Sequence, residues 1–186
     1  GAGRAVLETG EFDYAWNLQL APEVIAKMEE GGKGVAIAGF GPLVERLEMN
    51  LTNPSPDLDA DTRATVKAPH PFLSDINVRK ALSMAIDRVL LTEIGYGKAG
   101  FPTCDLVPAP DLYAAKNDHC LTQDIAGANA LLDSAGWKKG GDGVRSKDGV
   151  RLSILYQTST NSVRQDFQAL IRIGGHRSAL RPNCAI

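Results

Sequence analysis

The chain has 186 residues, of which 44% are hydrophobic, and a formal net charge of −2 at pH 7. That length suits one domain or parts of two, and the apolar fraction permits a real core. The small net charge gives no reason to expect nucleic acid or an anionic membrane as a partner. No apolar run approaches the ~18 residues of a membrane span, and the first residues show no signal-peptide pattern.

The first fifty residues predict strands on either side of one helix. Alternation at 12–16 predicts a short strand with an aromatic face. Pro22 suits the first turn of a helix, because a missing N–H costs nothing there. A short buried strand is predicted at 34–38. At 43–51 apolar and polar residues alternate, which predicts a strand with one core face and one polar face.

A connection with several prolines covers 52–70, and the segment 71–88 behind it carries the strongest helix signal in the chain. Asp75 has the short acidic side chain of a good N-cap. The apolar positions after it are spaced as on one helical face: Val78, Leu82, Ala85 and Val89. We therefore expect one core helix of about four turns here.

Beyond this helix the sequence predicts an irregular excursion at 101–117 and then further regular elements. Asp124 begins a helix, and Trp137 is placed to pack back on its far end. Turn dipeptides within 140–149 predict a β-hairpin, and alternation over 151–156 predicts another strand. A last helix comes after the polar loop behind that strand. This order of elements is typical of an α/β protein.

No local motif supports catalysis. The chain has neither a phosphate-binding glycine loop nor a G-x-S-x-G elbow. A zinc set of His119, Cys104 and Cys120 is conceivable, but its spacing matches no common pattern. Asp142 and Asp148 lie in a glycine-rich frame that lacks the regular ligands of a calcium loop. We therefore expect no catalytic residue, no metal and no cofactor.

The chain has three cysteines. Cys104 and Cys120 could form a disulfide, which would contribute ~3 kcal/mol by the chain-entropy estimate. The alternative is two free thiols, which the sequence by itself does not exclude. Cys184 stands alone near the end of the chain.

Polar and aromatic residues near the ends of predicted strands favour a binding protein. Ligand groups in open α/β sheets gather at such strand ends. Aromatic rings would provide apolar contact area, while carboxylate and amide groups would fix the polar ends of a ligand. The candidates are Trp16, Asn17, Glu48, Asn50, Thr158, Ser159 and Asn161. A hydrolase with dispersed catalytic residues and a purely structural module are the alternatives from other classes.

Several segments, collinear from about Arg4 to Ile171, resemble one family. They are GEFDYAW at 10–16, LEMN at 47–50, FLSDINVRKALSMAIDR at 72–88, ALLDSAGW at 130–137, DGVRSKDG at 142–149 and YQTS at 156–159. Together they resemble the extracytoplasmic solute-binding proteins of peptide-type ABC importers, family 5, which include dipeptide and oligopeptide binders.

The resemblance implies a periplasmic binding protein-like fold of type II, with two hinged lobes, of which this chain is a part. It implies that 1–51 is a remnant of the first lobe, including a strand close to the hinge. Residues 52–70 would then be a linker, and 71–171 part of the second lobe. Residues 172–186 depart from the family pattern, so we expect an aberrant or unrelated tail, as a frameshift or an artificial terminus would produce.

The resemblance also implies a function. Such proteins capture di- or oligopeptides in the periplasm, as monomers at full length, and deliver them to a membrane permease and its ATPase without covalent chemistry. Another solute, such as a nickel complex, an opine or an oligosaccharide, is the alternative within the family.

The same resemblance implies roles for individual residues. In branches that have this cysteine pair, Cys104 and Cys120 are expected to be bridged. Glu48 falls where some members place a cleft carboxylate. Trp16, Asn17 and the loop 158–161 occupy segments that face the cleft, whereas the aspartate that holds a peptide's amino terminus would lie beyond Ile171.

Overall fold

A computed structural model describes residues 8–16, 20–177 and 181–185. The chain divides into two compact units. The first contains the N-terminal part up to Leu43, Arg88–Leu121 and Ser159–Phe167. The second contains Val44–Asp87, Thr122–Thr158 and the part from Gln168 onward.

Helices and strands are mixed along the chain, as expected for an α/β protein. The helices are α1 (Pro22–Glu29), α2 (Ile76–Met84), α3 (Arg88–Gly95), α4 (Ile125–Ser134) and α5 (Ser162–Arg177), with a 3-10 turn at Gly97–Ala99. The strands are β1 (Lys138–Lys139), β2 (Arg145–Lys147), β3 (Val150–Arg151), β4 (Ser153–Gln157) and β5 (Arg181–Ala185). Strands β1, β2 and β3 form an antiparallel sheet, and β4 pairs with β5 in parallel.

The core of the second unit lies between α2, α4 and the residues after α4. Its buried members are Phe72, Leu73, Val78, Ala81, Ala128, Leu132, Trp137 and Leu152. Both helices begin as the sequence predicts: Asp75 accepts the N–H of Asn77, and Asp124 accepts the N–H of Gly127. Because each cap satisfies an N–H that the helix itself cannot, both starting points are determined locally.

The prediction of one helix of about four turns after Asp75 is wrong in the extent of the helix. Helix α2 ends at Met84, and α3 begins anew at Arg88. The carbonyl oxygens at the end of α2 have partners from elsewhere: Asp124 N–H bonds Met84 O at 2.8 Å, and Gln123 Nε2 bonds Ala85 O at 2.9 Å. In a longer helix these carbonyl oxygens would accept hydrogen bonds from the next turn. Because they have other partners here, the helix can end at Met84.

The strands predicted at 12–16, 34–38 and 43–51 do not form in the part of the chain that the structure describes. A strand requires a neighbouring strand for its N–H and C=O groups, and alternation alone does not supply one. The N–H of Ala36 instead bonds the carboxylate of Glu29 at 2.7 Å. Ile37 and Leu43 are 90% and 94% exposed and are not core positions here, whereas Met49 is partly buried and packs against the core of the second unit.

The predicted hairpin is a three-stranded meander. Residues 140–143 turn between β1 and β2, and Asp148-Gly149 turns between β2 and β3. Asp148 and Gly149 both have positive φ angles, +50° and +80°. Two such residues in succession are what a tight two-residue hairpin turn needs, and Asp-Gly is a preferred pair for it.

The last helix and the residues after it complete the chain. Helix α5 buries Val163 and Phe167. The residues expected to be an aberrant tail include the end of α5 and strand β5, which pairs with β4 from Ser153↔Arg181 to Gln157↔Ala185. The boundaries of the lobes, the linker and the tail stay predictions.

Candidate functional site

The site candidates of the first unit are Trp16, Ser159 and Asn161. Trp16 lies in an irregular segment with 78% of its surface exposed, so one face of the indole is open to a ligand. Asn17 lies outside the described residues. Asn161 Oδ1 accepts the N–H of Arg164 at 3.2 Å, which makes Asn161 the N-cap of α5. Ser159 Oγ accepts the N–H of Asn161 at 3.4 Å and keeps its own hydroxyl proton to donate.

The candidates of the second unit are Glu48, Asn50 and Thr158. Glu48 forms an exposed ion pair with Arg46 at 2.8 Å. Asn50 Oδ1 accepts from the backbone N–H of Thr52 at 3.0 Å and from its hydroxyl at 2.7 Å. Thr158 directly follows β4 and is half-buried. Asn50, like Asn161, therefore has a local structural role that its position in the sequence did not reveal.

The described candidates do not form a joined cluster within either unit. Among them, the contact between Ser159 and Asn161 is the one hydrogen bond that the structure records. Their assignment to a ligand site accordingly stays a prediction, which rests on the family resemblance.

The loop between Cys104 and Cys120, in the first unit, is held by a disulfide and by side-chain hydrogen bonds. The two sulfur atoms are bonded, which confirms the disulfide. Because both thiols are consumed, they cannot serve as the thiolate ligands of the zinc alternative. Arg88 Nη1 donates to Cys120 O at 3.0 Å and ties the bridge to the start of α3.

Asp105 joins the two ends of the same loop by hydrogen bonds. Its carboxylate accepts the N–H groups of Lys116 at 2.8 Å and Asn117 at 3.1 Å, as well as Asn117 Nδ2 at 2.7 Å. Burial pushes the pKa of Asp105 upward, but these hydrogen bonds outweigh it, so the pKa lies below its ordinary value. A cavity of about 230 Å³ lies in this loop, with Phe101 and Pro108 among its walls. The sequence pattern did not predict this cavity, although a cysteine pair around a proline-rich stretch was a usable signal.

Several charged groups of the second unit have structural partners. Arg145 is buried, and its guanidinium bonds the carboxylate of Asp133, Trp137 O at 2.6 Å and Asn129 Oδ1 at 2.8 Å. The hydrogen bond from Arg145 is the main cause that lowers the pKa of Asp133. Asp142 Oδ1 accepts the N–H of Val144 at 3.1 Å and its Oδ2 pairs with Arg151, so both carboxylate oxygens have partners within the protein.

The described residues offer neither a metal cluster nor a membrane-spanning helix. In the ranges 8–16, 20–177 and 181–185, no three His, Cys, Asp or Glu side chains are grouped so that they could hold a metal ion. Within the same ranges, no helix has both the length and the apolar character required to cross a membrane.

Comparison with known sequences identifies the family. The model of the "Bacterial extracellular solute-binding proteins, family 5 Middle" matches residues 2–172. The chain belongs to this family. The match contains every segment on which the resemblance rests, and it confirms the fold class, with the chain as part of a family 5 fold.

Solved structures agree with this assignment. An ABC transporter substrate-binding protein from Sinorhizobium meliloti is 27% identical with a TM-score of 0.63, covering 99% of this chain and 35% of that one. NikZ from Campylobacter jejuni, in complex with Ni(L-His), is 25% identical with a TM-score of 0.57, covering 62% of this chain and 24% of that one. The oligopeptide binding protein from Thermus thermophilus, complexed with a pentapeptide, is 26% identical with a TM-score of 0.54, covering 61% of this chain and 20% of that one.

The chain is much shorter than its relatives. It spans 20% of Protein XP55 from Streptomyces lividans, to which it is 36% identical over 108 residues, or 57% of this chain. Activity, solute and partners of a whole family member are therefore proposals for this chain.

Proposed function

We propose that this chain is part of the solute-binding component of an ABC importer, and that the solute is a di- or oligopeptide. The observation that carries the proposal is the family match over residues 2–172. Similarity to an oligopeptide binding protein complexed with a pentapeptide favours a peptide as the solute. The complete protein would act in the periplasm as a monomer and deliver its ligand to a permease with its ATPase.

The chemistry of such a protein is binding without a covalent step. Exposed Trp16 offers a flat apolar surface, and an aromatic ring of this kind stacks on ligand side chains at a low cost in conformational entropy. Glu48 offers a carboxylate to a ligand ammonium group, provided that it leaves the exposed pair with Arg46. That exchange costs little, because exposed ion pairs contribute only about 0–1 kcal/mol.

The loop after β4 would supply neutral hydrogen bonds. Thr158 and Ser159 have hydroxyl groups that can donate to ligand carbonyl oxygens. Asn161, which caps α5, would act through its remaining amide protons or by holding Ser159 in place. We propose no catalytic residue and no cofactor, and hence no enzymatic activity.

A nickel complex is the second candidate solute, because NikZ in complex with Ni(L-His) is among the similar structures. The two solutes make different demands on the protein. A peptide needs partners for its main chain and its two charged ends, whereas a chelated metal needs partners for the organic ligand around it.

Calorimetry on the full-length gene product tests the proposal. We expect heat of binding with a mixture of di- to octapeptides, and none with Ni(L-His) or with an oligosaccharide mixture. Binding of Ni(L-His) without peptide binding would select the alternative solute, and binding of none of the three would contradict both.

Tryptophan fluorescence adds a residue-level readout. Trp16 and Trp137 are the two tryptophans of this chain, and Trp137 is 3% exposed in the core of the second unit. Peptide should change the emission of a Trp137→Phe variant, which keeps Trp16, if Trp16 contacts ligand. The matched Trp16→Phe variant should show a smaller change and weaker binding. Equal peptide affinity in the Trp16→Phe variant and in the parent protein would remove Trp16 from the site.

A further inference from the structure

His70 lies in the second unit, where the proline-rich connection meets the segment that leads into α2. Its backbone N–H bonds Leu51 O at 2.8 Å, and Asn53 N–H bonds Ala68 O at 2.8 Å. Together with an isolated bridge between Thr52 and Pro69, these bonds close the connection into a loop. His70 is therefore the residue that joins the end of that loop to the segment before α2.

The imidazole ring of His70 holds the next residues of the chain. Its Nδ1 atom accepts the N–H of Leu73 at 3.0 Å and the N–H of Phe72 at 3.3 Å. The ring also packs edge-on against Phe72, with 4.5 Å between the ring centroids. Phe72 and Leu73 are both buried members of the core. One nitrogen atom thus fixes two core residues just before α2.

We propose that His70 is a pH-sensitive latch, which releases the N–H groups of Phe72 and Leu73 when its ring takes up a proton. A neutral imidazole can accept at Nδ1 only while that nitrogen carries no hydrogen. In the imidazolium form both nitrogen atoms are donors, so Nδ1 would face two N–H groups with a proton of its own. The hydrogen bonds are then lost, and the ring has to move away.

The surroundings of the ring agree with this behaviour. Burial of the ring lowers the pKa of His70, which means that the folded chain favours the neutral, accepting form. The charged groups on the adjoining segment have other partners. Asp75 accepts from Trp137 Nε1 and from the N–H of Asn77, and Arg79 donates to the carbonyl oxygens of Leu73 and Ser74. Leu51 and Phe72, which also contact His70, carry no charge.

The direction of the pH effect is determined by linkage. Because the pKa of His70 is lower in the folded chain, the stabilisation by its neutral ring is complete above the unfolded pKa of ~6.5. That stabilisation is lost as the pH falls through the folded pKa. The latch should therefore be closed at pH 7.5 and should open in mildly acidic solution.

Amide hydrogen exchange, measured residue by residue by NMR at pH 7.5 and at successively lower pH until the His70 ring resonances show a protonated imidazole, tests the latch. After correction for intrinsic exchange, the protection of the Phe72 and Leu73 amides should fall about fivefold or more, which corresponds to one lost hydrogen bond. The amides of Ala128 and Leu132 in α4 should keep their protection. Unchanged protection at Phe72 and Leu73 over this range would overturn the proposal.

Two variants separate the latch from a general effect of acid. Asn in place of histidine can accept through Oδ1 and does not titrate. We expect His70→Asn to keep the protection at pH 7.5 and to lose the pH dependence. His119→Asn, at an exposed histidine of the first unit, should behave like the parent chain. A His70→Asn variant with the parent's pH response would show that another group controls these amides.

Discussion

The surroundings of the two tryptophans differ, although both residues belong to segments with clear apolar patterns. Around Trp137, predicted caps and apolar faces coincide with a buried core, and the indole N–H bonds Asp75 Oδ2 at 3.1 Å. Around Trp16, the predicted strand is absent from the described residues, and the neighbouring aromatic residues Phe12 and Tyr14 are exposed. A pattern of apolar residues therefore yields a core only where a partner element completes it.

The physical reason lies in what each kind of element needs. A helix satisfies most of its own backbone groups and needs a partner only for its apolar face, which α2 and α4 provide for each other. A strand needs a neighbour for every hydrogen bond as well as for its apolar face. Substitutions in the packed region should therefore cost much more stability than substitutions in the exposed one.

The largest effect is expected from exchanging the two tryptophans for alanine, one at a time. Trp137→Ala should lower the free energy of unfolding by about 3–5 kcal/mol, because it empties a large core site. Trp16→Ala should change it by no more than about 0.5 kcal/mol, because the side chain is exposed. Urea unfolding followed by circular dichroism measures both. Similar losses in the two variants would show that Trp16 is also packed in the folded protein.

Two arginines of the same small sheet give the next comparison. Arg145→Ala removes a buried guanidinium with partners on α4 and after it, and should cost about 3–4 kcal/mol. Arg151→Ala removes a half-exposed pair with Asp142 and should cost about 1 kcal/mol or less. The same urea experiment gives both values. A cost at Arg151 that equals the cost at Arg145 would show that the buried hydrogen bonds of Arg145 add no stability beyond that of an exposed ion pair.

The disulfide should stabilise the loop 104–120, as the apolar core stabilises the second unit. Replacing Cys104 and Cys120 together by serine should lower stability by about 3 kcal/mol, the chain-entropy value for a loop of this length. Thermal melting with and without a reducing agent measures the effect. The Cys184→Ser variant keeps the bridge and should respond to reduction as the parent chain does. A double variant as stable as the parent would show that the loop is held by Asp105 alone.

The features that could be predicted are those whose causes lie within a few residues. Asp75 and Asp124 cap helices, and Asp148-Gly149 makes a tight turn, because a neighbouring side chain or backbone angle decides each of them. The family was also recognisable, since its segments are short and collinear. The disulfide was expected from the family and is confirmed.

The features that could not be predicted depend on groups distant in the chain. The end of α2 depends on Gln123 and Asp124, which come about forty residues later than Met84. Among the site candidates, Asn50 and Asn161 use their amide oxygens for local backbone N–H groups. Nothing in the spacing of polar residues distinguishes such a structural amide from one that is free for a ligand.

The smallest effect is expected at Asp75, which joins the start of α2 to Trp137. One carboxylate oxygen accepts the N–H of Asn77 at 2.8 Å, and the other accepts Trp137 Nε1 at 3.1 Å. Asp75→Asn leaves one oxygen for two donors and should cost about 1 kcal/mol at pH 7. Asp124→Asn is the matched control: that cap accepts from Gly127, and asparagine caps a helix as well as aspartate does.

The pH dependence of the Asp75→Asn difference makes the test sharper. Burial pushes the pKa of Asp75 upward, but the hydrogen bonds from Trp137 and Asn77 outweigh it, and the pKa lies below its ordinary value. The stabilisation by the carboxylate is therefore complete above the unfolded value of ~3.9 and is lost as the pH falls through the folded value. Urea unfolding at pH 7 and at successively lower pH should show that the unfolding free energies of the parent chain and the variant converge below about pH 4. A difference that stays constant with pH would mean that the charge of Asp75 does not contribute, and that the bond to Trp137 is as strong with a neutral acceptor.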